Sequence, residues 1–279
     1  MLERTFQIAR GVGPVREKRL WQDGIASWAD FPRGRTPALS ARADGELRLA
    51  IGRAQAAMAA RDADRLAAML PSREHWRMFP SFEAGAAYLD IETSDDDLAF
   101  AGISAIGVLD RDGPRLFLGG RDLHLFPRHA RAYTMLVTFN GLSFDLPILR
   151  QAFPDWRPPV CHVDLRHALA RPGHDGGLKR IERRLAGLRL ARPDHLAGIN
   201  GWDAAWLWRR GRDGDRQALR VFAEYNLYDA INLRTLMAYA YNGLAEQVDV
   251  PSVRDASPRL PVPGRGDVLY DVSKILLAL

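Results

Sequence analysis

The sequence predicts an α/β fold in which a mixed β-sheet is flanked by helices and follows a helical N-terminal region. Apolar, β-branched segments between residues 86 and 118 are joined by short turns, which indicates an antiparallel meander. Residues 134–139 and 160–165 are further short strands with helical segments after them, an arrangement typical of parallel strands. The run from residue 40 to 70 instead carries apolar residues at helical spacing. We therefore expect the meander to continue into parallel strands of the same sheet.

The N-terminal region, residues 1–85, is predicted to be helical. Gly11-Val12-Gly13 separates two short helix-like segments, a pattern similar to a helix-hairpin-helix element. Such a glycine turn serves either to hold a backbone phosphate or only to pack the two helices. Residues 40–70 fit one long amphipathic helix or two broken ones, and a connector at residues 72–85 leads to the first strand.

Two further parts complete the predicted organisation. Residues 86–245 contain the sheet and its helices, ending with a long apolar helix from about residue 215 to 241. Residues 246–279 form a proline-rich tail that ends in the apolar segment 272–279. We expect the end of the tail to dock on a surface that the sequence does not identify, with a neighbouring molecule as one option.

The composition limits the classes of function. A net charge of +5 and a pI near 9.6 permit a polyanionic partner without requiring one. Cys161 is the only cysteine, which excludes an intrachain disulfide and a cysteine-rich zinc site. Because the chain has no apolar run of about 18 residues and no signal-peptide core, we expect no membrane partner and a cytoplasmic location. Walker A, Gly-x-Ser-x-Gly and dinucleotide-binding motifs are absent from the sequence.

Two carboxylates share one face of the first predicted strand, residues 87–93. Because side chains alternate along a strand, Leu89 and Ile91 point to one face, and Asp90 and Glu92 point to the other. Neighbouring carboxylates repel each other unless a cation offsets them, and oxygen ligands suit Mg²⁺ or Mn²⁺. The pair alone fits either the start of a metal site or a solvated strand end.

Two later carboxylates are expected at the same place. Asp145 follows the turn Asn140-Gly141 and lies at the start of a predicted helix, where an Asp commonly caps the helix. Asp229 lies on the long helix one turn after Tyr225, among apolar side chains. An unpaired carboxylate in such surroundings is unfavourable, so either a buried arginine or a metal ion must offset its charge.

Taken together, these residues resemble the DEDD superfamily of 3′→5′ exonucleases, which have the ribonuclease H-like fold. Tyr225, four residues before the last Asp, is similar to the tyrosine of the DEDDy subgroup. Four further motifs resemble the YprB-type ribonuclease H-like domain: Gly177-Leu178-Lys179-Arg180-Ile181-Glu182, His162-Val163-Asp164-Leu165, Tyr225-Asn226 and Asp229 to Leu233. The resemblance spans roughly residues 5–240 and implies that residues 86–245 form an exonuclease domain.

The resemblance implies a metal-dependent nuclease that acts on the 3′ end of single-stranded DNA or RNA. It assigns catalytic roles to Asp90, Glu92, Asp145, Tyr225 and Asp229. The four carboxylates would hold two divalent ions, Mg²⁺ or Mn²⁺, roughly 4 Å apart with Asp90 between them. Tyr225 would orient the attacking water, since a phenol with a pKa near 10 is a poor base at neutral pH.

Nucleic acid is the partner that the resemblance implies. The predicted contacts are Asn140, Phe144, Lys179 and Arg180, with Trp202 as a further candidate, although the basic residues also fit a solvated helix face. Many relatives have Thr-Gly-Leu where this chain has Thr93-Ser94 followed by three Asp, which adds negative charge beside the substrate path. Two functions therefore stay open, an exonuclease and a ribonuclease H-like module that binds nucleic acid with little or no turnover.

Overall fold

A five-stranded mixed sheet forms the centre of the protein. The computed structural model describes residues 1–95, 99–188, 190, 192–262, 270 and 272–279. The strands are β1 (Ala86–Thr93), β2 (Ile103–Asp110), β3 (Gly113–Leu118), β4 (Met135–Thr138) and β5 (His162–Asp164), in the order β3-β2-β1-β4-β5. The β1–β2 and β2–β3 pairs are antiparallel, and the β1–β4 and β4–β5 pairs are parallel. The predicted mixed α/β sheet is confirmed.

Helices cover both faces of this sheet and build most of the N-terminal region. Within the described residues they are α1 (Pro14–Gln22), α2 (Ala41–Ala59), α3 (Ala63–Ala67), α4 (Phe79–Phe82), α5 (Phe126–His129), α6 (Asp145–Ala152), α7 (Leu165–Ala170), α8 (Leu178–Arg184), α9 (Gly201–Arg212), α10 (Arg216–Glu246), α11 (Pro251–Arg254) and α12 (Ser273–Leu277). The longest, α10, crosses one face and contacts four of the strands, β1 to β4. In the part of the chain that the structure describes, none of the helices has the length and apolarity that crossing a membrane requires.

Alternation along β1 places the two faces of the sheet in different surroundings. Leu89 is buried in a cluster with Phe126 of α5 and residues of α6, whereas Tyr88 belongs to the larger core on the α10 side. Asp90 and Glu92 lie two and four residues after Tyr88 and therefore face α10. The sequence prediction that these carboxylates share one face is confirmed.

A buried charge network shapes the first residues of the chain. Glu17 of α1 is 2% exposed. Its carboxylate accepts hydrogen bonds from the Thr5 hydroxyl (2.6 Å), the Phe6 N–H (2.8 Å), the Gln7 side-chain amide (2.8 Å) and the Arg77 guanidinium (3.1 Å). Residues 5–7 are thereby held against α1 outside a helix. The helix expected before Gly11 is instead a single 3-10 turn at Leu2–Arg4.

From residue 41 to 85 the N-terminal region consists mostly of helices and helical turns. Residues 40–70 form two helices, α2 and α3, with Arg61 at φ +53° between them. The connector 72–85 consists of short helical turns that bury Trp76 and Phe79. These side chains share one core cluster with the α10 side of the sheet. The division of the chain at residue 85 stays a prediction.

The end of the tail packs on the chain itself. Arg234 of α10 donates a hydrogen bond to the Tyr270 hydroxyl (2.5 Å), and Val272 is 6% exposed. The helix α12 also contacts α10. The described end of the tail therefore contacts α10 of its own chain, and docking on a neighbouring molecule stays a prediction. The predicted proline-rich stretch falls partly on residues 263–269 and 271, which lie outside the described residues.

Candidate metal centre and active site

A cavity of about 430 Å³ opens beside α10 where β1 ends. Its wall comes from β1, the loop before α6, the start of α8, and α10. The predicted site residues that line it are Asp90, Glu92, Asn140, Phe144, Asp145, Lys179, Arg180, Tyr225 and Asp229. The fold thus brings residues from four separate segments of the chain to one place.

Asp90 is positioned by Asn226 of α10. The Asn226 amide donates to a carboxylate oxygen of Asp90 (2.8 Å) and to its backbone carbonyl (3.2 Å). Gly107 is the cross-strand neighbour of Asp90 on β2. A Cβ at Gly107 would lie 2.5 Å from the side-chain oxygen of Asn226. The missing side chain therefore lets α10 approach the sheet closely enough to hold Asp90.

Asp145 reaches the site because β4 ends before β1 does. The parallel pairing of these strands stops at Tyr88 and Val137, while β1 continues to Thr93. Beyond the last pair, the Ile91 N–H donates to the Asp145 carboxylate (3.2 Å). Asp145 is the first residue of α6 and is 3% exposed. Its side chain therefore links the start of α6 to the C-terminal half of β1.

Asp164 holds the loop that carries Asp145. Its carboxylate accepts the Asn140 N–H (2.8 Å) and another N–H of the loop (3.1 Å), and it caps α7 through the Arg166 N–H (3.0 Å). Asn140 adopts φ +65°, and its side-chain oxygen accepts a hydrogen bond from Arg166 (2.7 Å). At Gly141 a Cβ would come within 2.0 Å of the Thr138 hydroxyl, so only glycine fits. Asn140 thus supports the loop in addition to lining the cavity.

Among the residues that the structure describes, Lys179 and Arg192 contact the Asp229 carboxylate. Both cations also lie over the Tyr225 ring, 4.5 and 5.5 Å from its centre. Glu182 holds Arg192 through both of its carboxylate oxygens (3.1 and 3.3 Å). The sequence leaves two options for offsetting the charge of Asp229, an arginine or a metal ion. The structure shows the arginine, Arg192.

The predicted nucleic-acid contacts differ in exposure. Lys179 is turned to Asp229 with 30% of its side chain exposed, and Arg180 is exposed at the cavity wall. Phe144 is 41% exposed, and Trp202 is 89% exposed directly after Gly201, a residue of the same wall. Of the acidic run after Thr93, residues 96 and 97 lie outside the described part of the chain.

Burial and mutual repulsion disfavour ionisation of the clustered carboxylates. Burial, followed by the charge of Asp229, raises the pKa of Glu92 to about 8, and burial raises the pKa of Asp145 to about 7. Burial and then Asp229 raise the pKa of Asp90 well above its ordinary value. The same two causes raise the pKa of Tyr225, which keeps its phenol protonated. The cluster therefore has too little positive charge around it to ionise fully at neutral pH.

The donor set fits a hard divalent cation. Asp90, Glu92 and Asp229 each offer an oxygen, and these oxygens lie within 4.8 Å of one another. Asp145 lines the same cavity with a fourth carboxylate. Ligand sets made only of oxygen suit Mg²⁺ or Mn²⁺, and the charge of a bound ion would offset the burial and the repulsion that raise these pKa values. The three oxygens named first could hold such an ion together.

The fold and the site define a ribonuclease H-like α/β protein with an acidic cluster at the end of its first strand. Residues 87–241 match a family model, RNase_H_2, described as RNase_H superfamily, and this segment runs from β1 through most of α10. The chain belongs to the RNase H superfamily, and membership indicates nuclease or nucleic-acid-binding activity. Neither a curated protein nor a solved structure gives a significant match to the chain.

Four supporting residues of the site were not assigned roles from the sequence, and they are Asp164, Glu182, Arg192 and Asn226. Three of them, all but Arg192, lie within the motifs that carry the family resemblance, so the motifs contained a signal for them. Arg192 lies outside those motifs, in an arginine-rich stretch without a regular pattern. Its contact with Asp229 depends on the path of the chain after α8, which spacing alone does not predict.

Proposed function

We propose that the protein is a metal-dependent 3′→5′ exonuclease of the DEDDy type, close to the YprB-type domains, acting on single-stranded DNA or RNA. The observation that carries the proposal is the convergence of Asp90, Glu92 and Asp229 to oxygen separations within 4.8 Å, with Asp145 in the same cavity. These four side chains would hold two ions of Mg²⁺ or Mn²⁺. Bound ions would supply Lewis-acid chemistry at the scissile phosphate.

The protein's own residues orient the reactants. Asn226 fixes the direction of the Asp90 carboxylate, and the Asp164 bonds fix the loop before Asp145. Tyr225 keeps its proton because burial and Asp229 raise its pKa. Its hydroxyl therefore positions a water molecule through a hydrogen bond and does not act as a base.

Positive charge at the cavity wall suits the phosphate of the substrate. Arg180 is exposed there, and Lys179 lies close to the carboxylates. A phosphate oxygen in the cavity is an acceptor of the right charge for such groups.

The proposal is tested by digestion of single-stranded DNA and RNA labelled at the 3′ or the 5′ end, in Mn²⁺ and in EDTA. We expect Mn²⁺-dependent release of mononucleotides from the 3′ end by the wild type. Asp90→Asn should abolish the release, because it removes a charge from the cluster at nearly constant volume. Asp112→Asn, in the exposed turn between β2 and β3, is the matched control and should cleave like the wild type.

Cleavage that persists in EDTA or in Asp90→Asn would refute the proposal. Internal cuts with no terminal preference would show that the protein is an endonuclease and not an exonuclease. The 3′- and 5′-labelled strands distinguish these results, since only 3′ exonuclease action releases the 3′ label in the first turnover.

A second function, a nucleic-acid-binding module with little turnover, is favoured by one observation. Lys179 and Arg192 already neutralise Asp229, so this carboxylate has a charge partner without any metal ion. Under this alternative, oligonucleotides bind equally well in Mn²⁺ and in EDTA and stay intact. Binding without cleavage in the digestion experiment would support the module.

A further inference from the structure

The helix α9 carries three tryptophans that face opposite ways. Trp208 is 3% exposed and packs against Phe222 of α10, with ring centres 5.2 Å apart. Trp202 and Trp206 are 89% and 52% exposed. Because α9 packs its other face on α10, a packing role explains Trp208 but leaves the two exposed rings unexplained.

The exposed rings continue into positive charge. Residues 202, 206 and 210 are spaced four apart and lie along one side of the helix. Arg210 lies over the Trp206 ring, 4.8 Å from its centre, and also pairs with Asp215 (2.6 Å). Arg209 and Arg212 add charge to the same end of α9. An aromatic surface bordered by arginines is the composition that binds single-stranded nucleic acid, by stacking bases and attracting phosphates.

Two of the acidic residues near this face cap helices, and one of these, Asp215, also pairs with Arg210. Asp203 accepts the Asn200 N–H (3.0 Å) and closes the capping box that starts α9. Asp215 caps α10 through the Ala218 N–H (3.0 Å). Asp213 is exposed at the far end of the helix. Arg209 and Arg212 add to the charge of Arg210 at this end, so the arginines of the face suit a polyanion.

The position of α9 connects this face to the acidic cavity. Gly201, its first residue, lines the cavity together with Asp90 and Asp229. Trp202 is the next residue, so the aromatic face begins at the cavity wall and leads away from it. The eight steps along the helix from Trp202 to Arg210 rise about 12 Å at about 1.5 Å each. That length matches three to four stacked nucleotides at about 3.4 Å each.

We propose that the outer face of α9, formed by Trp202, Trp206 and Arg210, is a stacking surface for the single strand whose 3′ end enters the cavity. The direction of the strand rests on the proposed exonuclease function. The binding itself does not, because it needs no turnover. Bases of the nucleotides that precede the 3′ end stack on the two rings, and Arg210 contacts a phosphate between them.

The test is fluorescence anisotropy with 5′-labelled oligothymidylates and oligouridylates of 2, 4, 8 and 12 nucleotides, in EDTA to prevent cleavage. Wild-type affinity should rise with length and level off once α9 is covered. Trp202→Ala and Trp206→Ala should each weaken binding of the 8-mer at least about fivefold, the lower end of the range for loss of one stacked base. The loss should be smaller for the 2-mer, which is too short to reach Trp206.

Two further variants distinguish stacking from apolar contact. Trp202→Phe keeps an aromatic face and should retain most of the affinity, whereas Trp202→Leu should bind as weakly as Trp202→Ala. Leu49→Ala on α2 is the matched control, since Leu49 is also an exposed apolar side chain (64%) but lies in the N-terminal region. Circular dichroism melts should show that all variants fold.

Unchanged 8-mer affinity in the Trp202→Ala, Trp206→Ala double variant would overturn the proposal. So would full affinity in Trp202→Leu, which would assign the face to apolar contact. A drop in molar mass by light scattering in the double variant, without loss of oligonucleotide binding, would assign the face to a second copy of the chain. Binding that depends on the tryptophans, combined with no 3′ release in Mn²⁺, would refute the exonuclease and keep the stacking surface.

Discussion

Stabilisation of the protein by Mn²⁺ should increase steeply between pH 5.5 and 8.5. Burial raises the pKa of Asp145 to about 7, and burial with the charge of Asp229 raises that of Glu92 to about 8. Both values exceed the unfolded values of about 4. The stability that these groups contribute is therefore complete below about pH 4 and is lost as the pH rises through 7 to 8. An ion binds only to the ionised carboxylates, so it restores stability only toward pH 8.5.

The size of the effect follows from these pKa values. A pH of 5.5 lies about 1.5 and 2.5 pH units below the pKa values of Asp145 and Glu92, so ionising them there costs about 2 and 3 kcal/mol. Because the two carboxylates interact, we expect a loss of affinity near 100-fold and not the full product. An ion at 100 times its Kd contributes about 2.7 kcal/mol, or about 5 to 10 °C in Tm for a chain of this size. After a 100-fold loss it contributes about 0.4 kcal/mol, or about 1 to 2 °C.

The assay is thermal unfolding in Mn²⁺ and in EDTA at each pH, with the difference in Tm as the measured quantity. Other titrating groups, such as the buried His162 whose pKa is lowered to about 4 by burial, act in both solutions and cancel. Asp229→Asn should reduce the difference at every pH. An equal difference in Tm at pH 5.5 and 8.5 would refute the reasoning, since binding of the ion would then not depend on ionisation of these carboxylates.

Three other substitutions have definite expected outcomes. Gly141→Ala should destabilise the protein and lower Mn²⁺-dependent cleavage, because its Cβ would come within 2.0 Å of the threonine that ends β4; kinetics and melts check both effects. Lys179→Met should tighten Mn²⁺ binding, because it removes a cation that competes for Asp229, and weaken oligonucleotide binding, because it removes a positive charge from the cavity. Calorimetry measures the affinity for Mn²⁺ and anisotropy the affinity for the oligonucleotide. A loss of both affinities would contradict the prediction. Glu17→Ala should cost about 3 kcal/mol in urea unfolding, because it leaves the buried donors of residues 5–7 without an acceptor and removes one of two buried carboxylates that pair with Arg77; an effect below about 1 kcal/mol would argue against that network.

The sheet and the acidic cluster were predictable because they follow from local rules. Alternation along β1 fixes the face of Asp90 and Glu92, and helical spacing fixes Tyr225 relative to Asp229. The motif order then predicts that they meet, and the structure places them in one cavity. The catalytic roles of these residues stay predictions.

The parts that sequence reasoning missed depend on long-range contacts. The expected helix before Gly11 fails because Glu17 takes the donors of residues 5–7, a contact between segments that no local pattern encodes. The helix α9 was not predicted, although Asn200 and Asp203 form a capping box at its start. Its three tryptophans do not form one apolar stripe, because two of them face solvent.

The two cations on Asp229 explain how one residue can serve both the fold and the site. Lys179 and Arg192 offset the charge of an otherwise unfavourable carboxylate on the apolar helix α10. A divalent ion on the same oxygen would repel both cations, so the ion and the cations compete. Arg192 is 12% exposed and anchored by Glu182, whereas Lys179 is 30% exposed on a flexible chain, so Lys179 is the one that can leave. If the proposed nuclease function holds, displacement of Lys179 would free Asp229 for the ion and bring a positive charge to the entering phosphate, and metal binding would then be coupled to substrate binding.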